Sequence, residues 1–300
     1  MEPEGTTAPP LSGRRGMALV AALATLWCSA AIGSVAVGRW RRAAFWLVTE
    51  WMWLGLFVGG VHRGHPWSFW VGTLGFLLWR VPAAIDAFRL VRTTPAPARW
   101  QMIVVAWMAL TLATVGALRG IRQFLVEAFA IPAGSMLPTL DIGDRIMVDK
   151  RARRPIPGDV IVFEFPLDRS TSYVKRVVAV GGDVVQIDDG QLVVNGKEVW
   201  RERVQNGCAD ELDVEPRGPC VIWEETLGEH RYQTGYDKLG GPRYTDRRVV
   251  KPGTVFVLGD NRDNSSDSRV WGDVPLENIK GTVRFVWWSA DSARVNRIVR

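Results

Sequence analysis

Three stretches of this chain carry side chains able to do nucleophilic chemistry. Gly134-Ser135-Met136-Leu137-Pro138-Thr139 sets a hydroxyl in a loop bounded by glycine and proline. Tyr173-Val174-Lys175-Arg176-Val177-Val178 sets an amine among β-branched residues. Gly259-Asp260-Asn261-Arg262-Asp263-Asn264-Ser265-Ser266-Asp267-Ser268-Arg269 is dense in turn formers and charges. Serine is a weak nucleophile at neutral pH and needs a base. The chain has 3 histidines: His62 and His65 fall between apolar runs and His230 lies in a polar stretch, so none is placed to serve as that base. A lysine can replace it when burial among apolar groups disfavours the charged amine. On a strand, Lys175 and Val177 share one face and Val174 and Arg176 the other, so one cation can point inward while its neighbour meets solvent. Gly134 frees the backbone for close approach to a substrate, and the Ser135 N–H is a donor for a developing oxyanion. In the third stretch Asp and Asn side chains can cap amides, and Asp267 can pair with Arg269 or Arg262. The loop could thereby hold Ser265 against the Lys175 amine. Taken singly, these features read as a turn serine, two surface charges and a solvated loop.

The elements that must position these residues differ sharply between the two halves of the chain. Hydrophobic residues make up 47% of the 300, and the excess lies before residue 130. Residues 1–15 read as a disordered tail. Apolar runs at 16–38, 43–61, 68–85 and 100–118 are long enough to suggest about four transmembrane helices over 16–118. Tryptophans crowd between Trp27 and Trp79, as at membrane interfaces. Arginines 39, 41, 42, 89, 92 and 99 outweigh Arg14 and Arg15, which puts the first and third loops in the cytoplasm and everything after Leu118 outside. Glu50 interrupts the second run and is read as a packed polar contact. The net charge of +6 fits loop charge and attraction to anionic lipid. No basic stripe with interleaved aromatics points to nucleic acid.

Residues 119–130 read as an amphipathic segment leaving the membrane. Beyond them, short β-branched runs are punctuated by Pro157-Gly158, Gly181-Gly182 and Asn195-Gly196, which predicts a mostly antiparallel β domain over 119–300. Residues 201–248 look like an insertion or extended hairpin. They hold Cys208 and Cys220, which could form a disulfide if exported. Two cysteines without nearby partners make a poor zinc site, and no metal or cofactor is expected. Phe285-Val286-Trp287-Trp288 reads equally as a core strand or as a segment dipping into the lipid surface.

Together these segments resemble the bacterial type I signal peptidases, the Ser-Lys leader peptidases. The resemblance rests on residues 131–140, 158–163, Lys175-Arg176-Val177-Val178 with Gly182-Asp183, and Gly259 through Gly272, and it spans roughly 119–290. It implies N-terminal transmembrane helices followed by a signal-peptidase-like β fold. It implies Ser135 as nucleophile, Lys175 as general base, Ser265 orienting the lysine, and Asp267 and Arg269 stabilising the site, with Gly134, Gly259 and Asp260 in support. The implied partners are signal-peptide-bearing preproteins cleaved after small residues, the lipid bilayer and the secretion machinery, at the outer face of the cytoplasmic membrane. Ala133 departs from the family pattern, in which many members carry a serine whose hydroxyl joins the oxyanion hole. An autoprotease of the SOS-repressor type shares the chemistry but would need a DNA-binding domain. A multispan transporter or sensor with an exterior β domain, and a pilin- or conjugation-specific peptidase, are the other readings.

Overall fold

The computed structural model describes residues 11–27, 29–93, 100–152, 154–205, 221–237 and 244–299. Cys28, Cys208 and Cys220 lie outside them, and with them the expected disulfide. The chain divides into two compact units, Met1–Gln123 and Phe124–Arg300.

The first unit is helical: α1 Leu11–Trp27, α2 Ile32–Ala36, α3 Trp40–Arg63, α4 Pro66–Leu78, α5 Arg80–Thr93 and α6 Trp100–Phe124. Helix α3 ends at Gly64, whose positive φ of 66° reverses the chain, and Pro66 opens α4. The two then run antiparallel in close contact: a Cβ on Gly72 would meet the Phe57 backbone at 2.6 Å. Two expected runs are not single rods. The run at 16–38 breaks between α1 and α2, because the Ala30 N–H and the Ser29 hydroxyl donate to Glu50 Oε2 at 3.1 and 2.9 Å rather than continuing a helix. The run at 68–85 divides at Trp79, next to Arg80, whose guanidinium reaches Glu50 Oε1 at 2.9 Å. Glu50 is thus a buried, fully engaged structural contact. Among the described residues one helix, α3 with 24 residues, is long and apolar enough to cross a membrane; at 1.5 Å per residue it exceeds the bilayer core of about 30 Å.

The second unit is antiparallel β. Its strands are β1 Val126–Ala130, β2 Arg145–Asp149, β3 Val160–Phe165, β4 Asp168–Val180, β5 Val184–Asp188, β6 Gln191–Val194, β7 Lys197–Glu198, β8 Trp200–Gln205, β9 Val221–Leu227, β10 His230–Tyr236, β11 Thr245–Val249, β12 Thr254–Leu258, β13 Val274–Pro275 and β14 Ile279–Trp288; a short helix, α7, covers Ser268–Trp271. Seven strands form the main sheet in the order β1-β2-β14-β3-β4-β12-β13, accompanied by a sheet β11-β5-β6-β7 and a three-stranded sheet β10-β9-β8. Asn195 and Gly196, at φ 54° and 75°, make the expected tight turn between β6 and β7.

One expectation changes here. The segment 119–130 is not one amphipathic piece: helix continues to Phe124 and strand begins at Val126, where Val126 to Ala130 pair in register with Asp149 to Arg145. Within the stretch read as an insertion or extended hairpin, the described residues include the hairpin β9–β10, which β8 joins in a separate three-stranded sheet. The alternative readings of 285–288 also separate: Phe285 and Val286 are fully buried, whereas Trp288 is 46% exposed with the Arg145 guanidinium over its ring.

Candidate active site

Strand β4 lies between β3 and β12: Ile161 of β3 faces Lys175, while Val160 and Leu258 flank Arg176 on its two edges. Tyr173 and Val177, on the Lys175 face, pack with Ile161, Phe163, Val255 and Val257. These β-branched and aromatic residues make the strand and also strip water from the amine.

The loop from Ile131 to Asp144 is closed at its base, where the Ile131 N–H donates to Asp144 O at 2.9 Å and the Gly143 N–H to Ile131 O at 2.8 Å. At its tip Gly134–Met136 forms a single tight turn. Met136, 1% exposed, anchors that turn in the core with Leu140, Ile146 and Val162. The turn presents the Ser135 hydroxyl to β4, and Lys175 Nζ donates to Ser135 Oγ at 2.6 Å. Lys175 is 4% exposed. Burial pushes its amine down from 10.5 to about 8. Asp267 and Asp260 oppose that shift, and Arg269 adds to it. A cavity of about 360 Å³ opens over the pair, lined largely by apolar side chains including Phe129, Ile131, Ala133, Val162 and Tyr173. No histidine lines it among the described residues.

The 259–269 loop braces both partners. The Asn261 N–H donates to Ser135 O at 3.2 Å and Asn261 Nδ2 to Gly134 O at 3.1 Å, so the Ser135 turn is strapped from behind. Gly259 packs so closely that a Cβ there would strike Ser265 and the Ser135 carbonyl. Asp267 accepts from the Gly259 N–H at 3.0 Å and holds Arg269 in a fork, with Nε and Nη2 both at 2.8 Å. The pairing left open by the sequence is therefore Asp267 with Arg269; Arg262 turns elsewhere. Ser265 lies beside this site, but its Oγ is buried with no hydrogen-bond partner among the described residues, so the expected contact with Lys175 is not made in this structure. Asp260 accepts from Arg176 Nε and Nη2 at 2.8 and 2.7 Å.

Strand alternation led to one inward and one outward cation. Both are inward: Arg176 is 0% exposed. The alternation holds, but both faces of β4 are covered, one by the cavity wall and the other by the β9–β10 layer, whose Tyr232 ring lies 3.8 Å from the Arg176 guanidinium. Sequence reasoning missed Asn261, because a loop of Asp, Asn and Ser gives no sign of which member turns inward. It also missed Arg294, which donates to Asp144 Oδ2 at 2.9 Å and Thr139 O at 3.0 Å and so ties the segment after β14 to the Ser135 loop.

A serine hydroxyl held against a desolvated amine, beside an apolar cavity on an antiparallel β unit, is an arrangement in which a lysine could activate a serine. A profile of the family described as "Signal peptidase, peptidase S26" matches residues 104–288. The chain is 37% identical over 207 residues to signal peptidase I of Pseudomonas fluorescens, covering 59% of this chain and 70% of the relative. It is 35% identical over 200 residues to that of Aquifex aeolicus, covering 56% and 78%. It is 33% identical over 211 residues to a probable signal peptidase I-1 of Synechocystis, covering 67% and 90%. The chain belongs to the peptidase S26 signal peptidases, hydrolases that remove signal peptides.

Proposed function

We propose that the protein is a membrane-embedded serine endopeptidase that removes N-terminal signal peptides from exported preproteins, with Ser135 as nucleophile and Lys175 as general base. The observation that carries this reading is the 2.6 Å contact between Lys175 Nζ and Ser135 Oγ beneath an apolar cavity. With an amine near 8, about one molecule in ten holds a neutral Lys175 at pH 7. That fraction takes the Ser135 proton as Oγ attacks the scissile carbonyl. The oxyanion is met by the Ser135 N–H and a further donor, since Ala133 has no hydroxyl to offer. Collapse breaks the C–N bond, and the lysine returns its proton to the leaving amine. Water then attacks the acyl-enzyme ester, giving its proton to Lys175, and Ser135 departs with that proton restored. Asp267 and Arg269, with Gly259, Asp260 and Gly134, keep the two reacting side chains in register, and Ser265 is the nearby hydroxyl available to the amine once substrate binds.

The apolar cavity accommodates small side chains of an extended substrate. The apolar runs and loop arginines support a multi-pass domain over 16–118 in the cytoplasmic membrane, with the β unit on its outer face, near the bilayer and the secretion machinery. The test is cleavage of a signal-peptide substrate in detergent, with sequencing of the products. Ser135→Ala and Lys175→Ala, each folded, should lose cleavage at the signal-peptide junction, and retained cleavage by either would overturn the pair.

A further inference from the structure

Glu225 lies on β9, outside every stretch that carries the resemblance, and is 1% exposed. Its carboxylate takes a fork from Arg262, with Nη1 to Oε1 at 2.9 Å and Nη2 to Oε2 at 2.6 Å. The Thr234 hydroxyl donates to the same Oε1 at 3.2 Å, and Arg262 Nη1 also reaches the Tyr236 hydroxyl at 3.3 Å. Arg262 itself is 3% exposed. A guanidinium in such a place needs a carboxylate, and a two-point fork fixes its orientation as well as its charge.

The fork is one of several ties between the β9–β10 layer and the 259–269 loop. The Gly235 N–H donates to Asp260 O and the Arg262 N–H to Gly235 O, both at 2.8 Å. From Arg262 the chain of contacts runs straight to the site. Its carbonyl receives Arg269 Nη2 at 2.5 Å, and Arg269 is forked onto Asp267, which holds the Gly259 amide. Asp267 and Arg269 are also charges that act on the Lys175 amine. The side chain that fixes Arg262 therefore fixes the loop beside the base.

We propose that Glu225 is a positioning residue for the peptidase reaction. Through Arg262 it sets the placement of the Asp267–Arg269 pair against Lys175 and of Asn261 against the nucleophile turn. The β9–β10 layer is then part of the catalytic apparatus at one remove. This rests on the Ser135–Lys175 reading.

The test uses the full chain in detergent, with kcat, KM and the pH profile of kcat/KM on a signal-peptide substrate, and with folding followed by pulse proteolysis. Glu225→Gln keeps the shape and removes the charge. It should lower kcat by about tenfold or more, since small displacements of reacting groups are costly, with KM within about twofold. The acid limb of the profile should move with it. Glu225→Asp, which keeps the charge, should recover part of kcat and return the limb towards its original position. Should Glu225→Gln not fold, the double variant Glu225→Leu with Arg262→Met removes both charges and fills the space with apolar atoms, an exchange buried pairs tolerate. Folded, it should show the same loss in kcat. Wild-type kcat and an unmoved limb in either folded variant would overturn the proposal. So would a Glu225→Asp protein as impaired as Glu225→Gln. Ser135→Ala and Lys175→Ala run alongside, so a failure of the dyad shows as their retained cleavage, separately from any result at Glu225.

Discussion

The two faces of one strand bury two cations side by side, and they do opposite things. Arg176 meets a carboxylate in a two-point fork, a carbonyl from Gly158 at 2.6 Å and an aromatic face. Lys175, one residue away and almost as buried, has a hydroxyl at 2.6 Å; the carboxylates that act on it, Asp267 and Asp260, are engaged with Arg269 and Arg176. Burial alone therefore does not make a buried cation chemical. A compensated guanidinium becomes a fastener. An amine whose nearby carboxylates are already committed to arginines loses its proton more readily, and the neutral fraction can act as a base.

The sharpest way to break this comparison is to remove the reacting groups. If they are the proposed nucleophile and base, Ser135→Ala and Lys175→Ala should each reduce cleavage by at least about four orders of magnitude, because members of a catalytic pair fail together. Both proteins should remain folded by pulse proteolysis. A comparable loss on Lys175→Ala with unchanged burst acylation of Ser135 by a serine-directed probe would remove the lysine from the role of base.

The second test is at Arg176. Arg176→Met leaves Asp260 buried without its partner and should destabilise the β unit by about 3–5 kcal/mol, whereas adding Asp260→Leu should restore most of that stability. If Arg176→Met is as stable as the parent, the fork is not the fastener described here.

How much of this was visible in the sequence depends on how far the decisive partner lies from the residue. Lys175 was legible because its own neighbours, Val174, Val177 and Val178, supply the apolar setting. Ser135 was legible because glycine and proline bound its turn. Arg176 was misread because period-two alternation says which face a residue takes but not whether a second layer covers that face, and the cover comes from Tyr232 on a distant hairpin. The break in the first apolar run was invisible for the same reason. Hydropathy sees no charge at 16–38, yet Glu50 draws off the Ala30 amide from 20 positions away. Glu225, in a strand of mixed polarity, has the local look of a solvent-facing carboxylate, and only its partner Arg262 shows otherwise.

A third test separates the two cations by stability. Lys175 titrates near 8 in the folded protein against 10.5 in the unfolded chain. Below about 8 both states bind the proton, and the folded state carries the full cost of a charged, desolvated amine. That cost falls as pH rises from 8 towards 10.5, because the unfolded chain still binds a proton that the folded one has lost. Lys175→Met should therefore stabilise the β unit at pH 7 by up to roughly 3 kcal/mol, with the gain shrinking above pH 8. Arg176→Met should do the reverse at every pH. A Lys175→Met protein less stable than the parent at pH 7 would mean that the amine is compensated after all.

The smallest effect, and the most direct reading of the amine, is the acid limb of the reaction. If Lys175 acts in its neutral form, kcat/KM should rise with pH through about 8 and fall about tenfold for each unit below it. Asp267→Asn refines this. The Asp267 charge raises the Lys175 pKa, so removing it should displace the limb to lower pH. A limb that stays in place after Asp267→Asn, in a protein that still folds, would show that the titrating group is not the amine beside Ser135.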